Sequence, residues 1–423
     1  MKVLFLIVGP VSFKAVSVLR SFLKQISIQE HSVTVMSEDF SFFYLETEKN
    51  VKFISMSAKN FSEALFKNFM ENTKIDKTFI VNFDLLLFDD RMTAFKKSFI
   101  QYIQTPLLIF NPSSSVIFDK NSAEIENIPK SKLQINNSFA VIKPCPPFLP
   151  EDNDSKSKIN TLYWKNLEEF AFLNKDEARS TLRKAMKIDP DSKIVLLMLD
   201  LEQIFIARNQ ELLVHYQVLI ETVFHYLTAL DIECNLLVAN MVKLNLEIKE
   251  ESKVKIFFVG VLKDNDYEQI VRASDLIITE SIAAPHLIDG ANIKIPVINL
   301  KSSLFLEDIK EEDGTSALDV VYNFEELSPF AQAKVEYLII NSPQSIFKYY
   351  TFPHKASIEF NESKVFGHYI FTFSELFDEK GTSQLIKDLL LNDDYIKEEI
   401  YRIEQYLELR SDAIEAIDLL SNI

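Results

Sequence analysis

Glycine is scarce in this sequence, with six in 423 residues. So few cannot furnish several Gly-rich phosphate loops, and any nucleotide site must be built from helix N-termini and side chains. Cysteine is scarcer still: Cys145 and Cys234 are the two, and they lie far apart. That excludes a disulfide framework and a cysteine metal cluster, and it fits a reducing, cytoplasmic setting. Basic residues number 45 against 62 acidic ones, which leaves a formal net charge of −17. Such a surface repels nucleic acid and anionic membrane, so neither is expected as a partner. No apolar run reaches the roughly 20 residues of a transmembrane helix. The opening MKVLFLIVGPVSF has a short apolar run and no small-residue cleavage site, and reads as a buried strand. CxxC, HExxH, Walker and GxSxG motifs are missing, so no metal site is expected.

What is present is ample core. Hydrophobic residues make up 47% of the chain and phenylalanine alone accounts for 35 positions. The length suggests two domains. Lys2–Val8 is nearly continuous in apolar residues, as a parallel strand buried on both faces should be. Gly9-Pro10 ends it, and Phe13–Ile26 has Val16, Val18, Leu19, Phe22 and Leu23 near helical spacing. HSVTVMS, VKFISMS, KTFIVNFDLLLF and PLLIF read as strands, and FSEALFKNFMEN and DRMTAFKKSFIQYIQ as helices. This alternation predicts a parallel sheet covered by helices.

Asn111–Asn160 breaks the pattern. NPSSS and KPCPPFLPEDNDSKSK read as loops, with an edge strand at Ser138–Ile142, and make this stretch a candidate linker. Tyr163 and Trp164, just beyond it, are expected to anchor a domain interface. A second α/β pattern follows. NKDEARSTLRKAMKI is a helix with Asn174 as N-cap, and NQELLVHYQVLIETVFHYLTAL is a long helix. SKIVLLML, CNLLVAN, VKIFFVG, SDLIIT and IPVINL are strands. Lys301–Phe366 is looser; KSSLFLEDIKEEDG reads as an acidic loop and FEELSPFAQAKVEYLII contains a helix. Two amphipathic helical runs close the chain.

The order of these elements resembles that of the GT-B glycosyltransferases. EARSTLRKAMKIDPDSKIVLLML is similar to the helix, turn and strand that open the GT-B C-terminal domain. FFVGVLKDNDYEQIVRASDLIITES resembles the segment before its nucleotide site, and YIFTFSELFDEKGTSQLIKDLLLNDDYIKEEI its closing strand and helix. The resemblance implies an α/β fold of two Rossmann-like domains facing across a cleft. It divides the chain into an acceptor-side domain at 1–150, a linker and entry helix at 151–188, a nucleotide-side domain at 189–395 with an insertion at 301–366, and a terminal helix at 396–423.

The same resemblance assigns site residues. Counting back from Pro296-Val297 puts Asp289 at the acidic position that holds ribose hydroxyls and His286 near the phosphates. Ser281–Pro285 replaces the Gly-rich turn, and Gly290 and Val261 join the nucleotide-binding set. The chemistry supports the assignment, because a helix starting at Pro285 directs unpaired N–H groups at a diphosphate. A protonated His286 adds a charge-assisted hydrogen bond. After the first strand, Ser12, Phe13 and Lys14 stand where an acceptor would pass, without the histidine many relatives carry there. Asp84, near the end of the fourth strand, is the candidate catalytic acid or base. Asp89 and Asp90 are expected to cap a helix, Glu280 to be solvated, and His215 and His225 to pack or face solvent. KEEIYRIEQYLELR is expected to be a solvated helix face.

The implied activity is a metal-independent glycosyltransferase, with a nucleotide diphosphate sugar as donor substrate, no cofactor, and a small-molecule acceptor of natural-product type. Two alternatives stay open: a non-catalytic GT-B-like partner protein, and a sugar-nucleotide epimerase or hydrolase. A protein partner or a homodimer is compatible with either class.

Overall fold

A computed structural model describes residues 1–7, 19, 22–23, 25–26, 31–37, 51–56, 61–81, 102–103, 107–110, 139–145, 160–165, 174–199, 210–241, 243–246, 252–262, 264–280, 285–301, 306–310, 316–320, 327–341 and 372–407. The chain divides into two units: Met1–Glu168 with Ala283–Ile288 and Leu407–Ile423, and Glu169–Ile282 with Asp289–Tyr406.

The apolar runs of the first unit become strands β1 (Lys2–Ile7), β2 (Ser32–Ser37), β3 (Val51–Ser55), β4 (Lys77–Val81), β5 (Leu107–Phe110), β6 (Phe139–Cys145) and β7 (Asn160–Lys165). They form a sheet in the order β3-β2-β1-β4-β5-β6-β7, parallel throughout. Five of the six β1 residues are buried, as a strand covered on both faces requires. Helix α1 (Glu63–Asn72) is capped by Ser62, whose side chain accepts from the Leu65 N–H. Leu19, Phe22, Leu23 and Ile26 are helical and buried, in keeping with their spacing.

Two expectations are corrected here. Ser138–Ile142 is not an edge strand: β6 runs on through Pro144 and Cys145 and lies between β5 and β7. Pairing with β7 runs through Pro144 and Cys145, whereas β5 pairs only as far as Ile142, so Pro144 withholds no N–H from β5. Trp164 anchors the core of the first unit. It is fully buried, meets Phe22 edge-on at 5.3 Å between ring centroids, and its Nε1 donates to Gln25 Oε1 at 2.9 Å. Proline and asparagine density hid a strand whose partners are distant in sequence.

The second unit repeats the plan. Strands β8 (Lys193–Met198), β9 (Cys234–Ala239), β10 (Val254–Gly260), β11 (Leu276–Thr279) and β12 (Val297–Lys301) join a last strand, β15 (Thr372–Glu375). Their order is β10-β9-β8-β11-β12-β15, again all parallel. Both orders therefore reverse beside their first strand, between β1 and β4 and between β8 and β11. The helices are α2 (Lys175–Met186), α3 (Gln210–Ala229), α4 (Asp264–Ala273), α6 (Pro329–Asn341), α7 (Glu379–Leu391) and α8 (Asp393–Leu407), with α5 (Pro285–Asn292) beginning in the Ala283–Ile288 segment of the first unit and continuing into this one. Asn174 caps α2 as expected, accepting from the Glu177 N–H at 2.8 Å.

Between β12 and β15 the acidic stretch is not all loop. Leu306–Lys310 forms β13 and pairs antiparallel with β14 (Ser316–Val320). Helix α6, in the same stretch, buries Ala331, Val335 and Leu338 in the core that α3 and the sheet share. His215 is fully buried on α3, and burial pushes its pKa down to about 3. His225, on the same helix, stacks on Phe330 at 3.8 Å and lies 2.9 Å from Glu379 Oε1. The closing helix α8 is not solvated all round. Glu399 is buried, and it accepts from Thr372 Oγ1 and from the Arg402 guanidinium. No helix among the described residues is long and apolar enough to cross a membrane.

Candidate functional site

Register places one residue from each strand of the second sheet in a row near the carboxyl edge: Gly260, Ala239, Met198, Thr279, Asn299 and Phe373. In open α/β sheets ligands bind beyond this edge, at the point where the strand order reverses. Two adjacent members of the row are polar. Thr279 and Asn299 are adjacent across β11 and β12 and wholly buried. Glu280, one residue farther, is 7% exposed. That corrects the expectation of a solvated side chain: Glu280 follows β11, an inner strand of the sheet between β8 and β12.

The ends of β9 and β10 are shaped by backbone that turns left-handed. Asn240 has φ 63° and Gly260 φ 65°. The Asn240 N–H donates to the Gly260 carbonyl at 2.6 Å, and its Nδ2 donates to the Leu199 carbonyl at 2.9 Å, which ties together the ends of three strands. A Cβ on Gly260 would meet nothing within 4 Å, so its glycine answers to the dihedral angle rather than to crowding. Val261 follows directly and is 39% exposed.

Helix α5 starts at Pro285, where a missing N–H is harmless. It ends through Lys294, whose φ of 58° supplies the left-handed residue that glycine usually provides. Gly290 lies against the sheet: a Cβ there would come within 2.7 Å of Val297 Cγ2 and 3.0 Å of Ile277 Cδ1. Its observed role is close packing of helix on strand. Asp289 is 9% exposed, and its Oδ2 accepts a 2.5 Å hydrogen bond from the hydroxyl of Tyr267 on α4.

Of the residues assigned from sequence, the structure brings Asp289 and Gly290 onto α5 and puts Val261 at the end of β10. Pro285 and His286 belong to the first turn of α5; their side chains lie outside the described residues, as do Ser281, Ser12, Phe13, Lys14, Asp84, Asp89 and Asp90. Sequence reading missed Tyr267, Thr279 and Asn299. A signal existed for Tyr267, which shares the spacing of Ile270 and Val271 on the buried face of α4. A tyrosine buried in that way needs a partner for its hydroxyl. Among the described residues no group of three or more His, Cys, Asp or Glu could hold a metal ion.

The whole chain is similar to solved glycosyltransferases of the GT-B fold. The spinosyn forosaminyltransferase SpnP superposes with a TM-score of 0.56 at 11% identity, over 100% of this chain and 98% of its own. The spinosyn rhamnosyltransferase SpnG, complexed with thymidine diphosphate, gives 0.53 at 10% identity over all of both chains. MurG of Acinetobacter baumannii gives 0.50 at 11% identity, again over all of both chains. Identities this low establish the fold and no more. No curated protein matches the sequence. A family model matches residues 22–423, and the chain, with its GT-B fold of two Rossmann-like domains, belongs to the family of unknown function DUF6365.

Proposed function

We propose that this protein is a nucleotide-sugar-dependent glycosyltransferase whose donor binds at the carboxyl edge of the second sheet. The observation that carries the reading is a buried carboxylate, Asp289, on the helix that follows β11, in a chain of GT-B fold throughout its length. A carboxylate accepts two vicinal hydroxyls well, which suits a ribose. The start of α5 at Pro285, with Ser281 and His286 beside it, would hold the diphosphate through backbone N–H groups and a charge-assisted hydrogen bond. Val261, beyond the Gly260 turn, would meet the nucleoside, and Gly290 would act by letting α5 approach the sheet.

In the reaction the bond from the anomeric carbon to the diphosphate breaks, and an acceptor oxygen bonds to that carbon. The diphosphate leaves with the electron pair, and the acceptor proton passes to a base. Fixed N–H donors and a cation suffice to stabilise that leaving group. Ser12, Phe13 and Lys14 would contact the acceptor and Asp84 would take the proton. The names of SpnP and SpnG favour a small-molecule acceptor of natural-product type, and the scarcity of cysteine favours a cytoplasmic setting.

A second reading, a non-catalytic partner protein, is favoured by the packing role of Gly290, the single glycine between β11 and β12. A thermal-shift panel of nucleoside diphosphates and their sugars separates the two. A ligand at 100 times its Kd adds about 2.7 kcal/mol to folding stability. A rise in Tm with one nucleotide family, lost in Asp289→Ala, supports the transferase. No rise with any nucleotide at millimolar concentration overturns it in favour of the partner protein.

A further inference from the structure

Tyr267 and Asp289 come from different helices, yet both are buried, at 8% and 9% exposure. The 2.5 Å separation of the Tyr267 hydroxyl from Asp289 Oδ2 is at the short end for a hydroxyl donating to a carboxylate. Two constraints therefore act on one carboxylate. Its backbone is fixed by Gly290, the next residue, which packs on Val297 and Ile277 too closely to admit a Cβ. Its side chain is fixed by Tyr267, itself held on the buried face of α4 with Ile270 and Val271. A carboxylate accepts at both oxygens, and the bond from Tyr267 to Oδ2 sets the plane and direction in which it does so. Oriented acceptors bind better than free ones, because the ligand need not order them.

We propose that Tyr267 is a positioning residue: its hydroxyl holds the Asp289 carboxylate in the orientation that receives the ribose hydroxyls of a nucleoside diphosphate. The inference rests on the donor-site reading above and adds a residue that does not itself touch the ligand.

Calorimetric titration of the full chain with UDP, GDP, ADP and CDP, and with the 2′-deoxy form of the tightest binder, tests it. Tyr267→Phe removes one oxygen and keeps the ring, so the core stays filled. It should weaken the tightest ribonucleotide about tenfold, the scale of a lost hydrogen bond to a charged group. It should weaken the 2′-deoxy form less, and add nothing in an Asp289→Ala background. Asp289→Asn keeps an acceptor for the tyrosine but gives up carboxylate capacity, and should also bind the ribonucleotide more weakly. Binding by Tyr267→Phe equal to wild type, whatever its Tm, makes the tyrosine a tether between helices and overturns the inference alone. So does a tenfold loss that persists on top of Asp289→Ala. Wild-type affinity in Asp289→Asn overturns it as well. If wild type binds none of the four nucleotides, the donor-site reading fails and the inference falls with it.

Discussion

The two sheets share the order of their first six strands and differ in what they bury. In the first, Phe5 stacks on Phe79 at 4.8 Å, and Phe22 bridges from Phe5 to Trp164. In the second, the strands contribute aliphatic residues, Val195, Leu197, Leu236, Val238 and Ile278, and the aromatic rings of that core, among them Tyr216, Phe224 and Tyr226, come from α3. Among the described residues the buried carboxylates also belong to the second unit. They are Glu221, Glu280, Asp289 and Glu399; of these Glu221 is held by Lys334, Glu399 by Arg402 and Asp289 by Tyr267. A parallel sheet needs only apolar strands wound in one sense, and either filling satisfies it. Burying a carboxylate needs a donor placed to meet it, which winding alone does not supply. The second unit has those donors, and the candidate site is built from one of them.

Truncating the aromatic cluster should break the comparison most strongly. Phe79→Ala is expected to destabilise the protein by about 3–5 kcal/mol in urea denaturation, because its ring contacts to Phe5 and Phe22 are lost around one cavity. An effect below 1 kcal/mol would mean the aromatic packing is not what holds the first sheet. Gly290→Ala sets two effects against each other in the second unit. Alanine favours a helix by about 1 kcal/mol over glycine, but its Cβ would collide with Val297, a buried β-branched side chain with little freedom to turn. Overpacking of this kind costs about 1–3 kcal/mol, so a net loss of stability is expected, and a gain would show that α5 can shift off the sheet.

Acidity sharpens the contrast through His215. Its folded pKa is held at about 3 by burial, below the ordinary 6.5. The unfolded chain therefore takes up a proton between those values while the folded chain does not, and stability falls as pH drops through that window. Between pH 6.5 and pH 5 the loss from this residue is about 2 kcal/mol. His215→Leu should flatten the slope of stability against pH in denaturation series at pH 5, 6 and 7. An unchanged slope would assign the pH dependence to other groups.

Much of the fold was legible because it rests on local pattern. Continuous apolar runs marked β1, β8, β9 and β11, and the Asn174 cap and acidic first turn marked α2. The misreadings share a cause. β6 and β7 were hidden by proline and polar residues, and β13 by its charges, since in each the strand is specified by a neighbour's ladder rather than by its own pattern. At the site, Asp289 was named from the family resemblance, and its burial was not legible. Nothing in the order of residues said that Glu280 is buried, or that Tyr267, 22 positions away, reaches Asp289.

The sequence by itself determined the class: alternating buried strands and amphipathic helices, twice over, with too few glycines for phosphate loops and too few cysteines for metal or disulfide frameworks. Those are consequences of composition and short-range periodicity, which any chain carries along its length. Tertiary structure alone decided the register that sets Thr279 beside Asn299, the close approach that makes Gly290 a packing residue, and the hydrogen bond that fixes Asp289. Each of these is a distance between residues on different elements, and such distances are set by which surfaces can be buried together.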